Sequence, residues 1–248
     1  MNIKKIIPNA ITLANLLCGT LAVIFAVKGD FTATAFLVVL GIVFDFFDGF
    51  AARMLKVQGE LGKQLDSLAD MVTSGVVPGI VMMQLLAMAL DKDPVGYFGV
   101  DPYGATGSNI PYLGLIITLG AGYRLAKFNI DERQSESFIG VPTPAVSLLV
   151  VSLPLILDYT ELVSIRELLS NSYVLLFLTA ILTYLMNAEL PLFSLKFKSF
   201  DIKTNLVKYI FLVFSVLMLV LLKVAAVPVV ILGYVLISLI QNTLAPKS

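Results

Sequence analysis

Asp45, Asp48, Asp66 and Asp70 stand where carboxylates are expensive, inside or beside long apolar runs. A carboxylate near the centre of a bilayer costs about 2.5–3.5 kcal/mol on insertion scales, so intramembrane acids are candidate functional residues. The spacing makes the four coherent. Asp45 and Asp48 are three apart, and Asp66 and Asp70 four apart, so each pair lies on one face of its helix. A connection of thirteen residues between the two apolar segments makes them antiparallel neighbours with both acidic pairs at one end. Four converging carboxylates without matching cations repel, and a divalent ion relieves that repulsion. All-oxygen ligation favours Mg²⁺ or Mn²⁺. Gly49 beside Asp48 allows close approach of a ligand to the backbone, and Arg53 carries a planar fork suited to phosphate. By themselves these residues also fit a buried ion-pair network or an ion path. Arg53 alone would serve equally as a topological anchor.

The rest of the chain must position these groups in a membrane. Of 248 residues, 58% are hydrophobic and 14% charged, with a mean hydropathy of +0.93. A soluble domain carries about 25% charged residues, so this composition describes one polytopic membrane unit. Apolar segments fall at 9–27, 32–53, 67–90, 111–128, 141–157, 172–187, 207–223 and 225–241. A span needs about 20 such residues, and the last two segments suit a tight helical hairpin. No A-x-A-like site follows the first segment, which is expected to remain as a helix rather than be cleaved as a leader. With the N-terminus in the cytoplasm, 13 of the 17 basic residues fall in inside segments, as the positive-inside rule requires. Both termini are then cytoplasmic. Residues 91–109 read as outside turns. Residues 188–206 alternate Leu and Phe with Lys and Ser and read as an interfacial linker.

The composition also excludes chemistry. There is no His, hence no imidazole base and no His-ligated metal, and the single Cys18 has no disulfide partner within the chain. Net charge is zero, so no basic footprint for nucleic acid is present.

Taken together, Asp45-Phe-Phe-Asp48-Gly49-Phe-Ala-Ala52-Arg53, eight residues, then Gly62-Lys-Gln-Leu-Asp66-Ser-Leu-Ala-Asp70 match D-x-x-D-G-x-x-A-R-x8-G-x-x-x-D-x-x-x-D in full. The pattern resembles the signature of the CDP-alcohol phosphatidyltransferase family. The resemblance implies an all-α polytopic core of six transmembrane helices, here residues 1–187, usually homodimeric. The linker 188–206 and a two-helix hairpin at 207–248 would follow it. It implies transfer of a phosphatidyl group from a CDP-linked lipid to an alcohol, with release of CMP. It makes Asp45, Asp48, Asp66 and Asp70 ligands of two Mg²⁺ or Mn²⁺ ions, Asp70 also the general base, and Gly49 and Arg53 contacts of the nucleotide and its phosphates.

Pro8-Asn9-Ala-Ile-Thr12-Leu-Ala-Asn15-Leu-Leu-Cys18-Gly19, Arg124-Leu-Ala-Lys127-Phe128-Asn129-Ile130 and Phe138-Ile-Gly140-Val-Pro142-Thr-Pro144 are similar to the branch of bacterial and archaeal members that uses serine. Lys127 stands where that branch commonly has Arg. This likeness implies CDP-diacylglycerol and L-serine as substrates and a multi-pass protein of the cell membrane with its site on the cytoplasmic side. On this reading Asn9 and Thr12 touch the nucleotide, and Arg124 and Lys127 hold the serine carboxylate. Glycerol 3-phosphate or an inositol phosphate is the alternative acceptor, because Arg124, Lys127, Arg133 and Lys63 could together hold a dianion. A cation or lipid transporter is the alternative of another class.

Overall fold

The computed structural model describes residues 3–90, 109–131, 138–192 and 205–244. The outside turns expected at 91–108 and most of the interfacial linker, 193–204, lie outside the described residues. All eight apolar segments are helical. They appear as α1 (Ile3–Val27), α2 (Phe31–Met54), the pair α3 (Glu60–Asp70) and α4 (Val77–Leu90), α5 (Ile116–Ile130), α6 (Thr143–Tyr159), α8 (Ser172–Asn187), α9 (Leu206–Leu222) and α10 (Ala226–Leu244). A short helix, α7 (Val163–Leu169), precedes α8 at a bend of 67°. Among the described residues, Lys4–Val27, Phe31–Met54, Glu60–Leu90 and Leu206–Gln241 are long and apolar enough to cross a bilayer. The last of these folds back, bringing Phe211 against Tyr234 with ring centroids 5.6 Å apart, so α9 and α10 form the expected hairpin. The protein is a multi-pass membrane protein.

Two helices depart from the hydropathy reading. α3 begins at Glu60, seven residues before the apolar run, which shortens the connection from α2 to residues 55–59. This first stretch is amphipathic, with Glu60, Lys63 and Gln64 turned outward, and hydropathy does not register a helix of that kind. Between α3 and α4 the chain continues as a π-helical segment, Met71–Val76, in which Val77 N–H bonds the carbonyl of Val72. In that register Thr73 O would receive its bond from residue 78, but residue 78 is proline and has no N–H. Ser147 Oγ of α6 donates to Thr73 O instead, at 3.3 Å, and Thr118 Oγ1 donates to Gly75 O at 3.0 Å. Backbone carbonyls inside lipid need such partners, so neighbouring helices sustain the segment.

α1 and α2 form a close antiparallel pair. Gly29 turns the chain with φ 78°, and Asp30 caps α2 by accepting from Ala33 N–H at 2.9 Å. Both choices follow the usual chemistry of a helix stop and start. The α3–α4 rod packs against α1, α2, α5 and α6. Its core is Val77, Val81, Met82, Leu85 and Leu86, sealed by Val38, Ile117, Val146 and Val150. Small residues set the spacing. A Cβ on Gly114 would lie 2.5 Å from Met83 N, and one on Gly79 would collide with Thr118 Oγ1. Such close approach is the usual basis of helix association in lipid.

Two residue pairs depart from an all-helical architecture. β1 (Phe138–Ile139) pairs antiparallel with β2 (Pro191–Leu192). Gly140, at φ 73°, donates to Leu190 O at 2.9 Å and leaves no room for a side chain against Met186 O. The start of the linker at 188–192 is thus tied to the approach to α6, and α10 packs on α6 and β2.

Candidate active site

The turn from α2 into α3 brings the two acidic pairs to one end of the bundle. Carboxylate oxygens of Asp45, Asp48 and Asp66 all lie within 4.8 Å of one another. Asp48 is 6% exposed, and Asp66 Oδ1 is buried with no hydrogen-bond donor. Three anionic groups so placed, one with an orphaned oxygen, fit a metal ion. Asp70, one turn beyond Asp66, is not in that set. Its Oδ1 accepts from Asn15 Nδ2 at 3.3 Å, and Arg124 lies close enough to attract its charge.

α1 supplies the polar wall. Thr12 Oγ1 reaches Asp48 Oδ2 at 2.5 Å and Pro8 O at 3.0 Å. A hydroxyl has one proton, and the shorter contact to the carboxylate takes it. Asn15, fully buried, links Asp70 to the π segment by accepting from Thr73 Oγ1 at 2.8 Å. Thr12 and Asn15 are three residues apart, so both face the acids. Gly41 of α2 leaves room for this pair, because a Cβ there would lie 2.8 Å from both Asn15 Oδ1 and Thr73 Cγ2.

Beside the triad opens a cleft of about 630 Å³, lined by Lys5, Pro8, Asn9, Thr12, Asp48, Gly49, Ala52, Arg53, residues 57–63 and Asp66. The four residues assigned to the nucleotide, Asn9, Thr12, Gly49 and Arg53, all line it. The Arg53 guanidinium folds back over Gly49, where a Cβ would stand 3.3 Å from Nη1. Gly62 faces Asn9 across the cleft. Lys5, Arg53 and Lys63 add cations around the acids, so the cleft can hold a polyanion such as a pyrophosphate.

The two residues assigned to the acceptor separate. Arg124 is 7% exposed, with Nε and Nη2 buried and unpartnered, and faces Asp70. Lys127, three residues on, turns toward the segment after α8 and pairs with Glu189 at 3.1 Å. The sequence assignment did not include Asn15, Thr73 or Glu189. Polar residues in the apolar runs of α1 and of the π segment after α3 were the available signal for the first two. Nothing local marks Glu189 as a partner 62 residues away.

The match to the family of CDP-alcohol phosphatidyltransferases covers residues 5–188, and the chain belongs to that family. It is 31% identical over 151 residues to the CDP-diacylglycerol–serine O-phosphatidyltransferase of Bacillus subtilis, covering 59% of this chain and 74% of that protein. It is 33% identical over 153 residues to the protein of the same name from Helicobacter pylori, covering 61% and 58%. It is also 28% identical over 170 residues to the archaetidylserine synthase of Methanothermobacter thermautotrophicus, covering 65% of each chain. The alignments thus span between 58% and 74% of these relatives' lengths.

Proposed function

We propose that this protein transfers a phosphatidyl group from CDP-diacylglycerol to L-serine, giving phosphatidylserine and CMP. The observation that carries the reading is the Asp45–Asp48–Asp66 triad at the edge of a cleft that also holds Gly49 and Arg53. The names of the relatives support serine as the acceptor. The donor needs lipid for its chains and water and cations for its head, and a cleft at the helix ends meets both needs.

Asn9, Thr12, Gly49 and Arg53 bind the cytidine diphosphate. Asp45, Asp48, Asp66 and Asp70 would hold two Mg²⁺ or Mn²⁺ ions, whose positive charge would offset the negative charge of the pyrophosphate and of the departing CMP. Arg124 orients the acceptor by its carboxylate, with Lys127 as a weaker contributor. Asp70 takes the proton of the serine hydroxyl as it attacks. With no His in the chain and no activated Ser or Cys in the cleft lining, direct attack by the alcohol is preferred over a covalent enzyme intermediate.

The family match ends at residue 188, which supports a catalytic core at 1–187 followed by the linker and the α9–α10 hairpin. The enzyme works as a homodimer in the cell membrane, with the site and both termini on the cytoplasmic side. The test is purified protein with CDP-diacylglycerol, Mg²⁺ or Mn²⁺, and a panel of serine, glycerol 3-phosphate, inositol phosphate and other alcohols. CMP release that requires serine supports the assignment. Release with another alcohol alone removes serine, and no release with any acceptor removes the transferase reading.

A further inference from the structure

We propose that Asn129 is a positioning residue, which fixes the gap between Arg124 and Asp70 by bracketing α5 to α3. This rests on the acceptor site lying between those two residues, as proposed above. Beyond Asp70, the π segment and α4 pack closely on α5, where Thr118 Oγ1 donates to Gly75 O. There a Cβ on Gly75 would sit 3.2 Å from Ala121 Cβ, and Gly122 lies against the Met71 side chain. α3 itself touches α5 only sparingly. Arg124 of α5 faces Asp70 of α3 there, with its Nε and Nη2 unpartnered. A hydrogen-bonded bracket joins the two helices on that side.

Asn129 Nδ2 donates to Ser67 Oγ at 2.8 Å, and Ser67 Oγ donates in turn to Lys63 O at 3.2 Å. Lys63 Nζ reaches back to the Asn129 carbonyl at 2.5 Å. Ser67 lies between Asp66 and Asp70 in sequence, so the bracket grips the turn that carries both acids. The structure thus holds the Arg124–Asp70 gap between two fixed points, the packing at Gly75 above and the amide–hydroxyl bond below. Asn129 acts on the acceptor through helix spacing, without touching it. Loss of its side chain leaves its carbonyl, and hence the Lys63 bond at the nucleotide cleft, in place.

The experiment measures kcat and KM for both substrates in Asn129→Ala, Ser67→Ala, their double variant and Ser67→Thr. A displacement of about 1 Å can cost about 100-fold in rate, so acceptor kcat/KM should fall about 10- to 100-fold in each alanine variant, with donor KM changed less than about 2-fold. The double variant should be no worse than either single one, because one bond is lost in all three. Ser67→Thr keeps the hydroxyl and should retain activity. Additive losses, an unchanged Ser67→Ala enzyme beside a crippled Asn129→Ala enzyme, or equal losses for donor and acceptor would each overturn the bracket. If the variants only yield less folded protein, with unchanged constants per folded enzyme, the role is structural and the proposal fails. Should the wild type use another alcohol in place of serine, the same coupling is read with that alcohol, so the two readings fail separately.

Discussion

Replacing Thr12 by valine should weaken metal binding, and donor binding as well, because Thr12 both donates to Asp48 and lines the nucleotide cleft. The Thr12 hydroxyl donates to Asp48 Oδ2 at 2.5 Å, in a site where both residues are nearly inaccessible to water. Valine has the same shape and no proton to give. Asp48 then loses a charge-assisted bond to a side chain that is itself shielded from water. Such a bond contributes about 1.5–3 kcal/mol, or about 10- to 150-fold in an equilibrium constant at about 1.4 kcal/mol per decade. The bond also aims the carboxylate at Asp45 and Asp66, so part of the loss falls on the geometry of the triad. Thr12→Val should therefore raise the metal concentration for half-maximal CMP release by that factor, whereas Thr12→Ser should stay near wild type. Titrations of Mg²⁺ and Mn²⁺ at saturating donor and acceptor measure it, with metal-dependent thermal stabilisation as a readout independent of turnover. A valine variant with normal metal dependence would refute the reasoning, whatever its donor KM.

Asp45→Asn and Asp66→Asn should each abolish turnover in protein that inserts and folds normally, and chelator should do the same to the wild type; substantial residual activity in either would remove the metal centre. Arg124→Ala should raise KM for serine about 10- to 150-fold by loss of one charge-assisted bond, with little effect on donor KM. Lys127→Ala should act more weakly, because Lys127 already pairs with Glu189, and equal effects on donor and acceptor would move Arg124 to the pyrophosphate. Single-cysteine labelling in a Cys18→Ala background should modify positions near 100 and 163 from outside and leave those near 60, 133 and 198 protected; external labelling near 60 would overturn the orientation.

The family and the candidate acidic site were legible in the sequence because both depend on residue type at short spacing. Asp45 and Asp48 had to share a helix face, as did Asp66 and Asp70, and an apolar run around four acids demanded a purpose for them. Helix positions followed from hydropathy for the same local reason, since a bilayer imposes a minimum apolar length on every span. What hydropathy could not register was the amphipathic start of α3 at Glu60, where Glu60, Lys63 and Gln64 are exposed. The π-helical turn after Asp70 likewise depends on Ser147 and Thr118 reaching carbonyls from other helices. Tertiary structure alone placed Asp70 outside the triad and against Asn15. It also divided Arg124 from Lys127, burying one beside Asp70 and pairing the other with Glu189. Neighbours three residues apart on a helix point about 60° apart, and that angle decides nothing until other helices occupy the two directions. Here α3 fills one and the segment after α8 fills the other, so contacts across more than fifty residues assigned roles that no local pattern could carry.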